Sequence, residues 1–228
     1  MIKAVFFDVG NTLFFYNYDF LRGLLEERYQ FDVSNEELEA TSKIIQKSFG
    51  KMIREGMSHT EIAYEAYFSW FRAIGIREDK IDHIIQTINT HPFKHLFWAK
   101  MADGAIDTLN WFLDRGYKLG IISNAEGQIE RLIRHAGIED CFEIILDSHD
   151  VGYHKPDERI FKKALKTLKV NPQEAVHIGD LIEADVLGAR AAGIEPILID
   201  RDNCYTDIDC LRVNKLQELK DLPIFNQA

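Results

Sequence analysis

The sequence has 228 residues, 46% of them hydrophobic, with 37 acidic against 27 basic side chains and a formal net charge of −10. That length supports one domain of ordinary size or one and a half around a full apolar core, and the surplus of acid excludes nucleic acid as a main partner, because backbone phosphates need clustered positive charge. No apolar run reaches about 18 residues and no basic stretch leads into a long apolar core, so neither a membrane span nor a signal peptide is expected.

The first predicted element is the apolar run Ala4–Phe7, a buried strand that ends at Asp8 and is followed by Gly10, Asn11 and Thr12. From Phe15 to about Phe97 no strand is expected, only helical periodicity. Leu21, Leu24, Leu25 and Tyr29 share one face. Ser34 and Glu37 form an S-x-x-E capping box, opening a helix that continues through Ile44, Ile45, Phe49 and Met52. Ser58 and Glu61 form a second box, opening an aromatic-rich helix through Tyr64, Tyr67, Phe68 and Phe71 that Gly75 ends. A further helix around Ile81–Ile88 stops before Pro92. Beyond it come four more apolar runs, Leu119–Ile122, Phe142–Leu146, Ala175–Ile178 and Pro196–Ile199, separated by helical patterns.

Strands alternating with helices predict an α/β fold, a parallel sheet with helices on both faces. Residues 1–15 and 98–228 are expected to form this core, and residues 16–97 an all-helical insert with hinges near Phe15–Asp19 and His91–Met101. The three cysteines, Cys141, Cys204 and Cys210, are odd in number and lack metal-like spacing, so free thiols in a reducing cytoplasm are expected. Oligomeric state is not legible.

Ligands of parallel sheets bind beyond the carboxyl ends of the strands. Those ends deliver Asp8; Ser123 and Asn124; Lys155 just before Pro156; and Asp180 with Asp185 five residues on. Three carboxylates, a hydroxyl and an ammonium suit phosphoryl transfer. A carboxylate such as Asp8 can attack phosphorus. Mg²⁺ takes oxygen ligands and uses one or two carboxylates together with phosphate oxygens, which Asp8 and Asp180 could supply. Lys155 would help offset charge on the transferring group.

The four segments "FFDVGNTL", "IISN", "GYHKPDERIF" and "HIGDLIEADVLGARAAGI" resemble, in order, the four motifs of the haloacid dehalogenase-like (HAD) superfamily, a likeness running from Lys3 to about Arg201. The resemblance implies a Rossmann-like core and a C1-type helical cap. It implies Asp8 as nucleophile and metal ligand, the Gly10 backbone carbonyl as a second metal contact, and Ser123 and Asn124 as substrate-binding residues, Ser123 holding the phosphoryl group. It implies Lys155 as the residue orienting Asp8 and the phosphoryl oxygens, Asp180 and Asp185 as the acidic metal side with Asp185 behind Asp180, Mg²⁺ as cofactor and a small phosphorylated substrate.

Position 10 departs from the pattern. Phosphatases of that family usually carry a second aspartate there, which protonates the leaving oxygen and then deprotonates water; Gly10 does neither. General acid–base help is typically worth about 10²–10⁴ in rate. Three readings stay open: a weak or selective Mg²⁺-dependent phosphohydrolase, a binding or regulatory module that has lost turnover, and a phosphonate or other carbon-linked hydrolase. The last would need a cap lysine, for which Lys43, Lys47 and Lys51 stand at spacing four. Blander roles also stand beside the chemical ones. Ser123–Asn124 could be a helix N-cap, Asp185 a first-turn acid, His177 a packed histidine, His154 a solvent-facing one, and the Gly188–Ala192 stretch a close helix–sheet contact.

Overall fold

The structure, a computed structural model, describes residues 1–205 and 208–226. The chain divides into two compact units, Met1–Phe15 with Lys100–Ala228, and Tyr16–Ala99.

The first unit opens with strand β1 (Ala4–Phe7), every residue of which is buried. A tight turn follows, in which Asn11 takes a left-handed φ of 55° and its N–H donates to Phe14 O at 2.7 Å. The two-residue strand β2 (Phe14–Phe15) then leads out of the unit.

The second unit is helical: α1 (Tyr18–Tyr29), α2 (Asn35–Gln46), α3 (Phe49–Arg54), α4 (His59–Ala73) and α5 (Glu78–Thr90). Leu21, Leu24 and Leu25 of α1 are buried, as their spacing predicts. Ser34 accepts from Glu37 N at the start of α2, and Ser58 with Glu61 forms a complete capping box at the start of α4. The helix expected to run from Ser34 through Met52 is interrupted. It stops at Gln46 and restarts at Phe49, because the Ser48 hydroxyl turns back onto Ile45 O at 2.6 Å and competes with the helical pattern. Ile44, read as part of its apolar face, is exposed. Lys43, Lys47 and Lys51 therefore do not form a row on one helix. Trp70, Phe71, Leu38 and Phe97 pack in this unit's own core, and Trp70 Nε1 donates to Leu38 O at 3.2 Å and Thr41 Oγ1 at 3.0 Å.

Back in the first unit, β3 (Lys100–Met101) pairs antiparallel with β2, a ribbon too short for sequence patterns to reveal. There follow α6 (Ala105–Leu113), β4 (Lys118–Ser123), α7 (Ile129–His135), β5 (Ile144–Asp147), α8 (Ser148–Val151), α9 (Glu158–Leu168), β6 (Ala175–Gly179), a π-helical turn at Ile182–Val186, α10 (Leu187–Ala191), β7 (Glu195–Ile199) and β8 (Leu211–Val213). Among the described residues these strands form one parallel sheet in the order β5-β4-β1-β6-β7-β8. The five apolar runs of the sequence are its first five strands; β8 adds a sixth. Counting only sheet strands, the order is 3-2-1-4-5-6, the doubly wound arrangement of Rossmann-like folds, whose direction reverses beside β1. β1 lies between β4 and β6 with Phe7 opposite Ile121 and Ile178. The ends of these strands meet at the switch point. Gly188 packs close: a Cβ there would lie 2.6 Å from the Phe161 ring, so α10 meets α9 only through a residue without one.

Candidate active site

Asp8 is fixed by the sheet itself. One residue beyond β1, its N–H donates to Ile178 O at 2.8 Å, so the carboxylate leaves the carboxyl edge beside β6. Asp180 follows β6 directly. Asp185 lies in the π-helical turn, where Asp185 N reaches Leu181 O at 2.8 Å and the widened turn brings its side chain back to the strand end. That return requires Gly179, since a Cβ there would lie 2.2 Å from Asp185 Cγ. Carboxylate oxygens of Asp8, Asp180 and Asp185 all lie within 4.8 Å of one another.

Lys155 joins two of them. Its Nζ donates to Asp8 Oδ1 and to Asp185 Oδ1, both at 2.6 Å, and the residue is only 4% exposed. Its backbone is held from β4: Asn124 Oδ1 accepts from Lys155 N at 2.7 Å, and Asn124 Nδ2 donates to Lys155 O at 2.9 Å. The side-chain amide of Asn124 is thus engaged at both ends, a brace for the lysine. Ser123, the last residue of β4, is buried. Neither residue caps a helix, because α7 begins at Ile129, whose N–H is taken by Asp147 Oδ2 at 3.4 Å.

The electrostatics follow from three carboxylates meeting one ammonium. Burial pushes the Asp8 carboxyl up to about 6, against the pull of Lys155. Burial and then Asp8 raise Asp180 well above the ordinary carboxylate range. Burial works against charge on Lys155 and Asp185 as well, but their mutual pairing outweighs it: Lys155 is held above its ordinary value and Asp185 below. Asp185 is the charged partner of Lys155, while burial and mutual repulsion disfavour ionising Asp8 and Asp180 together, a penalty the lysine does not remove. A clustered all-oxygen donor set whose joint ionisation a cation would favour fits a hard divalent ion such as Mg²⁺. Asp185 does not face it in the same way. Its Oδ1 accepts from Lys155 and His177, and its Oδ2 from Leu181 N at 3.0 Å.

From the sequence, His177 reads only as a packed histidine and Arg201 is not singled out. His177 is buried in β6 with its Nε2 2.9 Å from Asp185 Oδ1. A lone polar side chain in the apolar run "AVHIG" is the signal that a partner exists, because buried polar groups are hydrogen-bonded. Arg201 grips the turn after β1, donating to Asn11 O at 3.4 Å and Thr12 O at 3.1 Å while its guanidinium lies over the Phe15 ring. His154 is exposed.

A family model for haloacid dehalogenase-like hydrolases matches residues 2–193. The glyceraldehyde 3-phosphate phosphatase of Methanothermobacter thermautotrophicus is 30% identical over 218 residues, covering 95% of this chain and 93% of that one. The phosphoserine phosphatase of Thermus thermophilus is 37% identical over 109 residues, 46% of this chain and 44% of its own. Among solved structures, the HAD-hydrolase YfnB of Bacillus subtilis bound to magnesium shares the fold, with a TM-score of 0.78 over 99% of both chains at 22% identity. No helix among the described residues is long and apolar enough to cross a membrane. A Rossmann-like sheet with acids at its switch point and a family match over most of the length lead to one conclusion: the chain belongs to the haloacid dehalogenase-like hydrolases and is an enzyme of that family.

Proposed function

We propose that the chain is a Mg²⁺-dependent hydrolase of small phosphorylated metabolites that works through an aspartyl phosphate on Asp8 and is selective for good leaving groups. The observation that carries this is Lys155 Nζ 2.6 Å from Asp8 Oδ1, with Asp180 inside the same 4.8 Å cluster. The names of the two phosphatase relatives agree with a small phosphate monoester as substrate.

In this reading Asp8 attacks phosphorus, and the bond from phosphorus to the leaving oxygen breaks as the bond to Asp8 forms. Lys155 grips one carboxylate oxygen of Asp8 and so sets the direction of the other; it also attracts the phosphoryl oxygens. The Ser123 hydroxyl donates to the phosphoryl group, and Asn124 keeps Lys155 in register. Mg²⁺, held by Asp8, the Gly10 carbonyl and Asp180, would neutralise charge on the phosphoryl oxygens. Water then attacks the aspartyl phosphate, releasing inorganic phosphate and restoring the Asp8 carboxylate. No side chain at position 10 gives a proton to the leaving oxygen or takes one from water. Aryl and acyl phosphates, whose leaving groups need little protonation, are the favoured substrates. Residues 16–97 act as the cap that excludes water and shapes substrate choice, and the protein works in the cytoplasm.

The same glycine favours a second reading, a module that binds a phosphorylated ligand without efficient turnover. The carbon-linked alternative loses its support. Lys43 and Lys51 are exposed and face Glu39 at 2.8 Å and Glu55 at 3.7 Å, whereas a Schiff-base lysine needs a desolvated setting.

The test is phosphate release from alkyl, aryl and acyl phosphates with Mg²⁺ and with the metal chelated. Metal-dependent release is expected, greatest for the aryl and acyl esters, and Asp8→Asn abolishes it. Release that survives Asp8→Asn overturns the proposal. Silence across the panel, with a phosphate mimic still bound, establishes the module.

A further inference from the structure

His177 is wholly buried and sits in the apolar strand β6, where a phenylalanine or valine would satisfy packing alone. Its Nε2 lies 2.9 Å from Asp185 Oδ1, the same oxygen that Lys155 approaches at 2.6 Å. An ionised carboxylate only accepts, so the proton of this contact sits on Nε2. Nothing competes for it on the other side of the ring: among the described residues Nδ1 has no hydrogen-bond partner, and the Phe161 ring stands edge-on, 5.0 Å away at 89°. A proton on Nδ1 would be buried without an acceptor, which costs more than the contact returns.

The consequence lies in what Asp185 does next. Its other oxygen accepts from Leu181 N at 3.0 Å. Without His177, Oδ1 would be held by Lys155 alone, the group whose own position depends on it. Lys155, a long side chain with high rotamer entropy, would then share the freedom of its anchor. With His177 donating, Oδ1 is held by a group of the strand that does not move with the lysine. Gly179 makes room for the carboxylate, since any Cβ there would strike Asp185 Cγ at 2.2 Å.

We propose that His177 is a positioning residue, whose Nε2–H holds Asp185 in the setting from which Lys155 reaches Asp8. This rests on the Asp8–Lys155 reading above, and it adds a strand residue that acts at two removes from the reacting group. The chain of contacts runs from His177 Nε2 through Asp185 Oδ1 to Lys155 Nζ and Asp8 Oδ1.

Two amides separate this role from a merely structural one. Gln Nε2 stands the same number of bonds from Cβ as His Nε2 and can donate to Asp185; Asn Nδ2 falls one bond short. With p-nitrophenyl phosphate and Mg²⁺, His177→Asn is expected to lower kcat about tenfold with a smaller change in KM, since a reacting group misplaced by about 1 Å costs up to 10²-fold. His177→Gln recovers most of the loss. Crystal structures of the two variants are expected to show Lys155 drawn away from Asp8 in the first and in place in the second. Should the asparagine variant not fold, His177→Phe keeps the ring and removes the donor, and is read in the same way. Equal kcat in the asparagine and glutamine variants, or Lys155 unmoved in the variant without a donor, overturns the proposal. If the wild-type protein releases no phosphate, it is the functional reading that fails, and the crystallographic comparison still decides the role of His177.

Discussion

At position 10 the chemistry turns on a missing side chain. In the proposed reaction the cluster supplies the first step: Asp8 would carry the attacking carboxylate, Lys155 lies 2.6 Å from it, and Asp180 lies close enough to share a cation. What position 10 lacks in that reading is a proton donor for the leaving oxygen. Alkyl leaving groups suffer most from that absence, because their alkoxides are strongly basic, and aryl groups least. Gly10→Asp is therefore expected to raise kcat/KM for simple alkyl phosphates by at least about tenfold, the low end of what general acid–base help supplies, while aryl phosphates change little. Steady-state kinetics on matched alkyl and aryl esters measures the ratio. No gain for the alkyl ester, with Mg²⁺ binding intact, would mean that turnover is limited elsewhere.

Elements whose signals are local were legible in the sequence. Ser58 and Glu61 stand three residues apart and bond reciprocally: Ser58 N donates to Glu61 Oε2 at 2.7 Å, and Glu61 N to Ser58 Oγ at 3.3 Å. Ser58→Ala is expected to cost about 1 kcal/mol, a fall of roughly 2–4 °C in Tm for a chain of this size, with Ser58→Thr near wild type in a thermal melt. The strands Ala4–Phe7 and Ala175–Gly179 were legible because both faces of a central parallel strand are buried, which leaves a continuous apolar run. β8 was not, because of its three residues only Val213 is buried, and neither were β2 and β3, too short to carry a period. The break between α2 and α3 depends on a single serine hydroxyl finding Ile45 O, a choice that periodicity does not encode. The site divides along the same line. Acids at strand ends could be named because a parallel sheet gathers its ligand groups at one edge. The contact of Asp185 with Lys155 and His177 could not, because it depends on the wide turn at Ile182–Val186 and on the space left by Gly179.

Across the whole molecule, two units with separate apolar cores imply two thresholds of stability. Phe71 is fully buried in the helical unit, with its ring stacked near Trp70 and Tyr67 at interplanar angles of 14° and 16°. Asp8, Lys155, Asp180 and Asp185 all belong to the sheet unit. Phe71→Ala removes a ring from a closed core and costs about 3–5 kcal/mol, a large part of the 5–15 kcal/mol that holds a typical domain. Amide hydrogen exchange resolves where that loss falls, because protection reports local opening separately from global unfolding. Protection is expected to drop across α1, α2, α4 and α5, while the amides of β1, β4 and β6 keep theirs. Since the acids and Lys155 are fixed by those strands, the variant should retain binding of a phosphate mimic with Mg²⁺ even as turnover falls. Equal loss in helices and strands would show instead that the two cores unfold as one cooperative body, and that order at the switch point depends on the helical unit as much as on the sheet.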